Sequence, residues 1–155
     1  MTIEAITTFV KFTLGTQDKG HYQNSNTTTA LTYDSESYDY LPFIYNGATR
    51  STQGDNIESL LTLAANQLSL ELAHEAVVQF WAAEVNTVLM NPTTFLPSRT
   101  LTTENWLVSS MNYNAEGIQL RLITSIDAVS ASVPNKVLLE KTVGSLPVTA
   151  RISNI

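Results

Sequence analysis

The chain has 155 residues, no cysteine, a formal net charge of −6 and only 14% charged residues. That length suits a single domain spanning 1–155 with a core of its own. The missing cysteines exclude structural disulfides, thiolate zinc sites, iron–sulfur clusters and cysteine nucleophiles, and the acidic balance argues against a basic surface for nucleic acid. No apolar run is long enough to span a bilayer. The start, Met1-Thr2-Ile3-Glu4, lacks the positive and apolar regions of a signal peptide. Synthesis in a cytoplasm is therefore expected, with use there or export inside an assembly.

Ile3 to Leu14 alternates through Ile6, Thr8, Val10, Phe12 and Leu14, which predicts a strand ending at Gly15. Thr16 to Gly20 reads as a polar turn, His21 and Tyr22 as the start of a short strand, and Asn24 to Thr29 as a surface loop. Ala30 to Tyr33 and Tyr38 to Tyr40 are short β-rich pieces around Asp34-Ser35-Glu36-Ser37, a hairpin signal. Pro42 cannot donate a ladder hydrogen bond, so Leu41-Pro42-Phe43 belongs at an edge or a strand end. Phe43 to Tyr45 is a further extended piece closed by Asn46-Gly47. Arg50 to Asn56 is a polar, Gly-containing loop.

Leu61 to Met90 organises the chain. Ala, Leu, Gln and Glu dominate Glu58 to Val85, with no Gly or Pro, so propensity alone favours one long helix. Two features argue against it. Leu61 and Leu63 alternate with their neighbours, and Asn66 is a good N-cap that would be wasted inside a helix. The prediction is therefore strand, helix, strand. The helix has rows Leu68, Leu72, Ala76, Phe80 and Ala73, Val77, Trp81, and its core residues are expected to be Leu68, Leu72, Val77, Phe80 and Trp81. Glu84 to Met90 forms the second strand.

Asn91 to Pro97 is irregular, between two prolines. Glu104 to Tyr113 reads as a strand with Trp106, Val108 and Ser110 on one side. Asn114-Ala115-Glu116-Gly117 is a turn, and Ile118 to Ile126 the clearest strand, facing inward with Ile118, Leu120, Leu122 and Ile126. The tail, 139–155, is expected to add a strand or dock on a neighbour. The sum is a mainly β (α+β) fold: an antiparallel barrel or sandwich with one helix packed across it.

No residue pattern supports an enzyme. His74-Glu75 begins like a zincin motif, but Val78 stands where its second histidine belongs. Ser, His and Asp are scattered, without nucleophile-elbow glycines. Gly54-Asp55-Asn56 lacks the frame of a phosphate loop. Asp34, Glu36 and Asp39 lack the spacing of a calcium loop, so a solvated turn is the simpler reading. Trp81 and Trp106 sit in patterned elements and are read as packing residues, not sugar platforms. No cofactor and no metal are expected.

Several segments, in order, resemble the N-terminal domain of the minor tail protein L family of lambda-like phages and related phage tail-tip and baseplate hub proteins. Leu31-Thr32-Tyr33, a turn, and Tyr38 to Phe43 resemble its hairpin. Leu61-Thr62-Leu63 before Asn66 resembles its strand entering a helix, with one extra Ala. Ala82-Ala83-Glu84-Val85, Asn91-Pro92, Ile118 to Asp127 and Val133-Pro134-Asn135-Lys136 resemble later segments. The hairpin turn here lacks the family's frequent Gly, and the cysteine-rich, cluster-binding domain has no counterpart in a chain without cysteine. The resemblance implies a non-enzymatic virion protein. It would form or join a ring, of three or six copies, at the distal tail tube, touching tube, hub and baseplate proteins and letting DNA pass without binding it. Assembly in the host cytoplasm and residence in the phage tail follow, with no membrane anchor. Arg50, Asp55, Asn56, Phe95 and Arg99 are the candidate assembly contacts. The alternatives are a head–tail connector or neck protein, and a glycan- or receptor-binding β module using Trp106, Tyr38, Tyr40 and Tyr45.

Overall fold

Nine strands and one helix follow one another along residues 3–47 and 57–124, the part of the chain that the computed structural model describes. They are β1 (Ala5–Leu14), β2 (Gln17–Gln23), β3 (Leu31–Tyr33), β4 (Glu36–Tyr40), β5 (Phe43–Tyr45), β6 (Glu58–Leu63), α1 (Gln67–Val78), β7 (Ala82–Met90), β8 (Pro97–Asn114) and β9 (Gly117–Ile123). The hydrogen-bonded order is β3-β4-β2-β1-β7-β8-β9-β6-β5. Every pair is antiparallel except the short β2–β4 pair. This is the expected antiparallel sheet with one helix, but its order ends at β3 and β5, and closure into a barrel is not seen among the described residues. The ends are joined covalently instead. Leu41 N–H donates to Gln23 O beside β2, and Pro42 O, one residue later, accepts from Ala64 N–H beside β6, each at 2.9 Å. Pro42 sits at this corner between the two pairings, where a missing N–H breaks no ladder.

Successive residues of a strand point to opposite faces, and β1 buries both of its faces. Val10 and Phe12 join the larger core with Leu61, Leu63, Leu72, Ala73, Ala76, Trp81, Val85, Trp106, Val108, Leu120 and Leu122. Phe9 joins a smaller core with Leu31, Tyr38, Val88 and Met90. The helix and the β5–β6–β9 side cover the first face, and the β3–β4 hairpin covers the second.

Chain direction near Asn66 is as expected. The strand ends at Leu63, and Asn66, in extended conformation, caps the helix by accepting from Ser69 N–H at 2.8 Å. The helix buries Ser69, Leu72, Ala73 and Ala76, a stripe at i, i+3, i+4 and i+7. Leu72 and Trp81 are core residues, and Val77 is partly buried against them. The other two expected core residues are not: Leu68 is 54% exposed and Phe80 is 68% exposed. Small residues on the buried stripe seat the helix close to the sheet, which turns Leu68 outward. Phe80 has left the helix altogether. Its φ is +53°, its N–H donates to Val77 O, and Trp81 N–H donates to Ala76 O. That is a Schellman termination with Phe at the position usually held by Gly.

Several boundaries differ from expectation, most of all that of β8, which begins at Pro97 and not at Glu104. Gln17 to Gly20, read as turn, belongs to β2, and the turn is only Gly15-Thr16. The hairpin turn is Asp34-Ser35 alone, both at positive φ (49° and 65°), as in the two-residue turns that match strand twist. The ladder shifts between Val108 and Ser110, so Ser110 is exposed and Met111 packs on the core. Ile126 and the tail, 139–155, lie outside the described residues.

Candidate functional site

Two places on the described surface could carry function: one end of the β1–β7–β8 sheet, and a polar cluster beneath the β3–β4 hairpin. At the sheet end, the ladder rows are Ala5, Met90, Pro97 and Ile6, Leu89, Arg99. Ser98 Oγ donates to Glu4 Oε1 at 2.9 Å, fixing the start of the chain beside β8. The β7–β8 turn is built by Asn91, whose side chain accepts from Thr93 and Thr94 N–H and whose carbonyl accepts from Phe95 N–H. Phe95 is held at φ +54°. Ile3, Ile6, Phe95, Leu96 and Leu101 are all exposed here. Among the described residues, Pro97 to Asn105 pairs with β7 only, since β9 meets β8 from Leu107 onward. Phe95 and Arg99 therefore share one end, at a sheet edge with no described ladder partner. Arg50, Asp55 and Asn56 lie outside the described residues.

The polar cluster lies on the smaller-core face. Lys11 forms an ion pair with Glu36, and that bond holds the Lys11 ammonium above its ordinary pKa. His21 stacks on Tyr38 with ring centroids 5.0 Å apart. His21 Nε2 lies 2.6 Å from Asp18 Oδ2 and 3.7 Å from Glu36 Oε2. Asp18 and His21, three residues apart in a strand, would normally face opposite ways. A bulge corrects this: Phe12 pairs with Gly20 and Thr13 with Asp18, leaving Lys19 over. Gly20 is required beside it, because its φ is +150° and a Cβ at this position would fall 2.8 Å from the Tyr22 ring. Sequence reasoning missed this grouping. It placed Asp18 in a turn and grouped Glu36 with Asp34 and Asp39, and spacing alone does not reveal a bulge.

On the other face, Trp106 Nε1–H donates to Tyr45 Oη at 2.9 Å, and Tyr45 Oη–H donates to Glu104. Burial first, then the Glu104 bond, pushes the Tyr45 hydroxyl well above its usual pKa. Burial does the same to Tyr38, helped by the charge on Glu36. The aromatic residues suggested for glycan stacking are thus mostly committed: Trp106 and Tyr38 are buried and Tyr45 is bonded inward, leaving only Tyr40 exposed at 39%. His74 is solvent-facing on the helix. No helix among the described residues is long and apolar enough to cross a membrane.

No protein-family model matches the chain. No curated protein matches it either. Its fold is similar to that of a chain in a solved structure described as the virion of a native gene transfer agent (GTA) particle, with a TM-score of 0.51 and 12% sequence identity. The likeness covers 81% of this chain and 41% of the other, so the chain matches less than half the length of that protein. At this identity the likeness concerns the fold: an antiparallel sheet with one helix.

Proposed function

We propose that the chain is a non-enzymatic structural domain of a phage-type tail, forming or joining a ring at the tail tip or baseplate hub. The observation that carries this reading is the fold likeness to a chain of the GTA virion. The segment order resembling tail-tip hub proteins supports it independently. The surface suits assembly: one sheet end carries Ile3, Ile6, Phe95, Leu96 and Leu101 exposed beside the one-sided stretch of β8. Such an edge is a template for pairing with another chain, and a ring repeats one such contact at every subunit. Phe95 and Arg99 are the described members of this contact set, and Arg50, Asp55 and Asn56 belong to it by the same reading. The net charge of −6 keeps passing DNA from sticking, because phosphate binding is driven by cationic side chains and counterion release. The partners are further copies of the chain and the neighbouring tube, hub and baseplate proteins, in a virion assembled in the host cytoplasm.

The test is native mass spectrometry of the purified chain with cryo-EM of the particles that contain it. Ring-sized species, or density for the domain at the distal tail tube, are expected. A strict monomer at high concentration that is also absent from purified particles would overturn the reading. Density at the head–tail junction would move the chain to the neck.

A further inference from the structure

We propose that Asp18, His21 and Glu36 form a binding site for a zinc-class divalent cation, which clips the β3–β4 hairpin to β2. One donor atom from each residue lies within 4.8 Å of the other two. Zinc takes imidazole nitrogen and carboxylate oxygen at about 2.0–2.2 Å, and three such protein ligands with an open fourth position make a familiar arrangement. The decisive observation is on His21. Its Nε2 is shielded from solvent and makes no hydrogen bond, although Asp18 Oδ2 stands only 2.6 Å away. That distance is an ion-pair contact, so the buried Nε2 has a carboxylate as its nearest polar neighbour. Two ligands of one tetrahedral zinc stand about 3.3 Å apart, so the cation would replace this direct contact by parting the two groups by less than about 1 Å.

The surroundings fit the same purpose. Each carboxylate turns one oxygen toward the imidazole and has neighbours that fix its orientation. Asp18 Oδ1 accepts from Gly20 N–H at 3.2 Å, leaving Oδ2 for the site. Glu36 Oε1 is held by Lys11, and Oε2, which accepts from Tyr38 Oη–H at 3.4 Å, lies 3.7 Å from His21 Nε2. Partners of this kind orient metal ligands. The bulge at Lys19 is what brings Asp18 to this face, and bulges are a usual means of re-aiming a side chain at a site. Charge also favours a dication. With Lys11 beside Glu36, the carboxylates of Asp18, Glu36 and nearby Glu84, which also acts on Lys11, leave the cluster net negative by two when His21 is neutral. The mechanical gain is clear: the β2–β4 pairing has only two register pairs, Tyr22 with Asp39 and Gln23 with Tyr40. A cation bridging Asp18 and His21 on β2 to Glu36 on β4 would lock that junction.

The experiment is calorimetric titration and thermal melting of the full chain, free of any histidine tag, with Zn²⁺ as the probe. The expected result is one zinc per chain and a melting temperature that rises with zinc. Asp18→Asn, at a residue whose side chain is half exposed, should keep the fold in chelator and weaken zinc binding at least tenfold. His21→Gln should abolish binding, and His74→Gln should leave it unchanged. The proposal is overturned if the wild type shows no saturable binding up to millimolar zinc, or if Asp18→Asn and His21→Gln bind as the wild type does. It is equally overturned if Asp18→Asn lowers stability by the same amount with and without zinc, which would mark a His–Asp ion pair only.

Discussion

One face of the β1–β7–β8 sheet is covered by a 12-residue helix and by strands β6 and β9, whereas the other is covered by a hairpin of three and five residues. The first face is held by a large core that is mostly aliphatic: Leu61, Leu63, Val85, Val108, Leu120 and Leu122 are each 1% exposed or less, with Phe12, Trp81 and Trp106 packed among them. The second is held by aromatic contacts and polar ties. Phe9 stacks on Tyr33 at 4.8 Å and meets Tyr38 edge-on at 5.0 Å, Lys11 pairs with Glu36, and Tyr33 Oη shares a hydrogen bond with Thr100 Oγ1. The difference separates what folds the domain from what can be adjusted. Burial of many aliphatic groups is cooperative and not easily regulated. A small aromatic core rimmed by ionisable groups can be tightened or loosened by a bound ion or a partner.

The comparison breaks most sharply at Leu72. This side chain is 6% exposed in the larger core, and an unpaired carboxylate there has no partner to offset its desolvation. Leu72→Asp is expected to cost about 5 kcal/mol or more and to abolish cooperative folding. A soluble variant with a sharp thermal transition would show that the helix is not integral to the core. On the other face, Phe9→Ala is expected to cost about 3–5 kcal/mol, the usual range for an aromatic deletion from a core. Its signature should be local: hydrogen exchange faster in β3 and β4, with protection retained in α1. Uniform loss of protection would mean that the two cores melt as one.

How much of this was readable from the residues follows from which signals are local. The turn at Asn66, the β8–β9 hairpin and the strand before the helix were legible, because a cap, an Asn-x-x-Gly turn and period-two alternation act over a few residues. Three things were not. The bulges at Lys19 and near Ser109 change the facing of every residue beyond them, and nothing in composition marks one. The ending of the helix at Phe80 was hidden because an aromatic residue stands where Gly is expected. The corner at Leu41-Pro42, where one stretch serves both β2 and β6, depends on pairings far apart in sequence. Pro42 as an end signal was legible, but its partners were not. Of the candidate contacts, Phe95 lies in the two-proline loop and Arg99 just beyond it, and their shared position at one end of a one-sided sheet edge shows only in the ladder register.

Both faces should also weaken in alkali. Tyr45 on the first and Tyr38 on the second both have hydroxyl pKa values raised by burial, with Glu104 and Glu36 adding to it. An unfolded tyrosine ionises near 10. A folded-state value above that means the native state holds the proton longer, so the stabilisation is complete below about pH 10 and is lost as pH rises toward the folded values. Denaturant midpoints are expected to fall above pH 10. Tyr45→Phe should remove part of that fall while costing roughly 1 kcal/mol at neutral pH, since Glu104 and the Trp106 N–H lose their shared partner. An unchanged alkaline slope in both Tyr45→Phe and Tyr38→Phe would contradict the assignment.

The smallest effects belong to the residue that ends the helix and faces neither core. Phe80 is 68% exposed and adopts a left-handed φ of 53°, a conformation that costs a non-glycine residue roughly 1–2 kcal/mol. Two substitutions separate its backbone role from its side-chain role. Phe80→Asp relieves part of the strain, since Asp tolerates the left-handed region, and removes an exposed ring, so stability should stay within about 0.5 kcal/mol of wild type. Phe80→Gly relieves the strain, offset in part by the larger unfolded-state entropy of glycine, and should gain about 0.5–1 kcal/mol in urea denaturation. A loss of about 2 kcal/mol or more in either variant, well above the surface range, would place the Phe80 ring in the core after all. If both behave as expected, an exposed aromatic residue is being held in a strained turn that folding does not need, which would direct the search for its role to contacts made by the exposed ring.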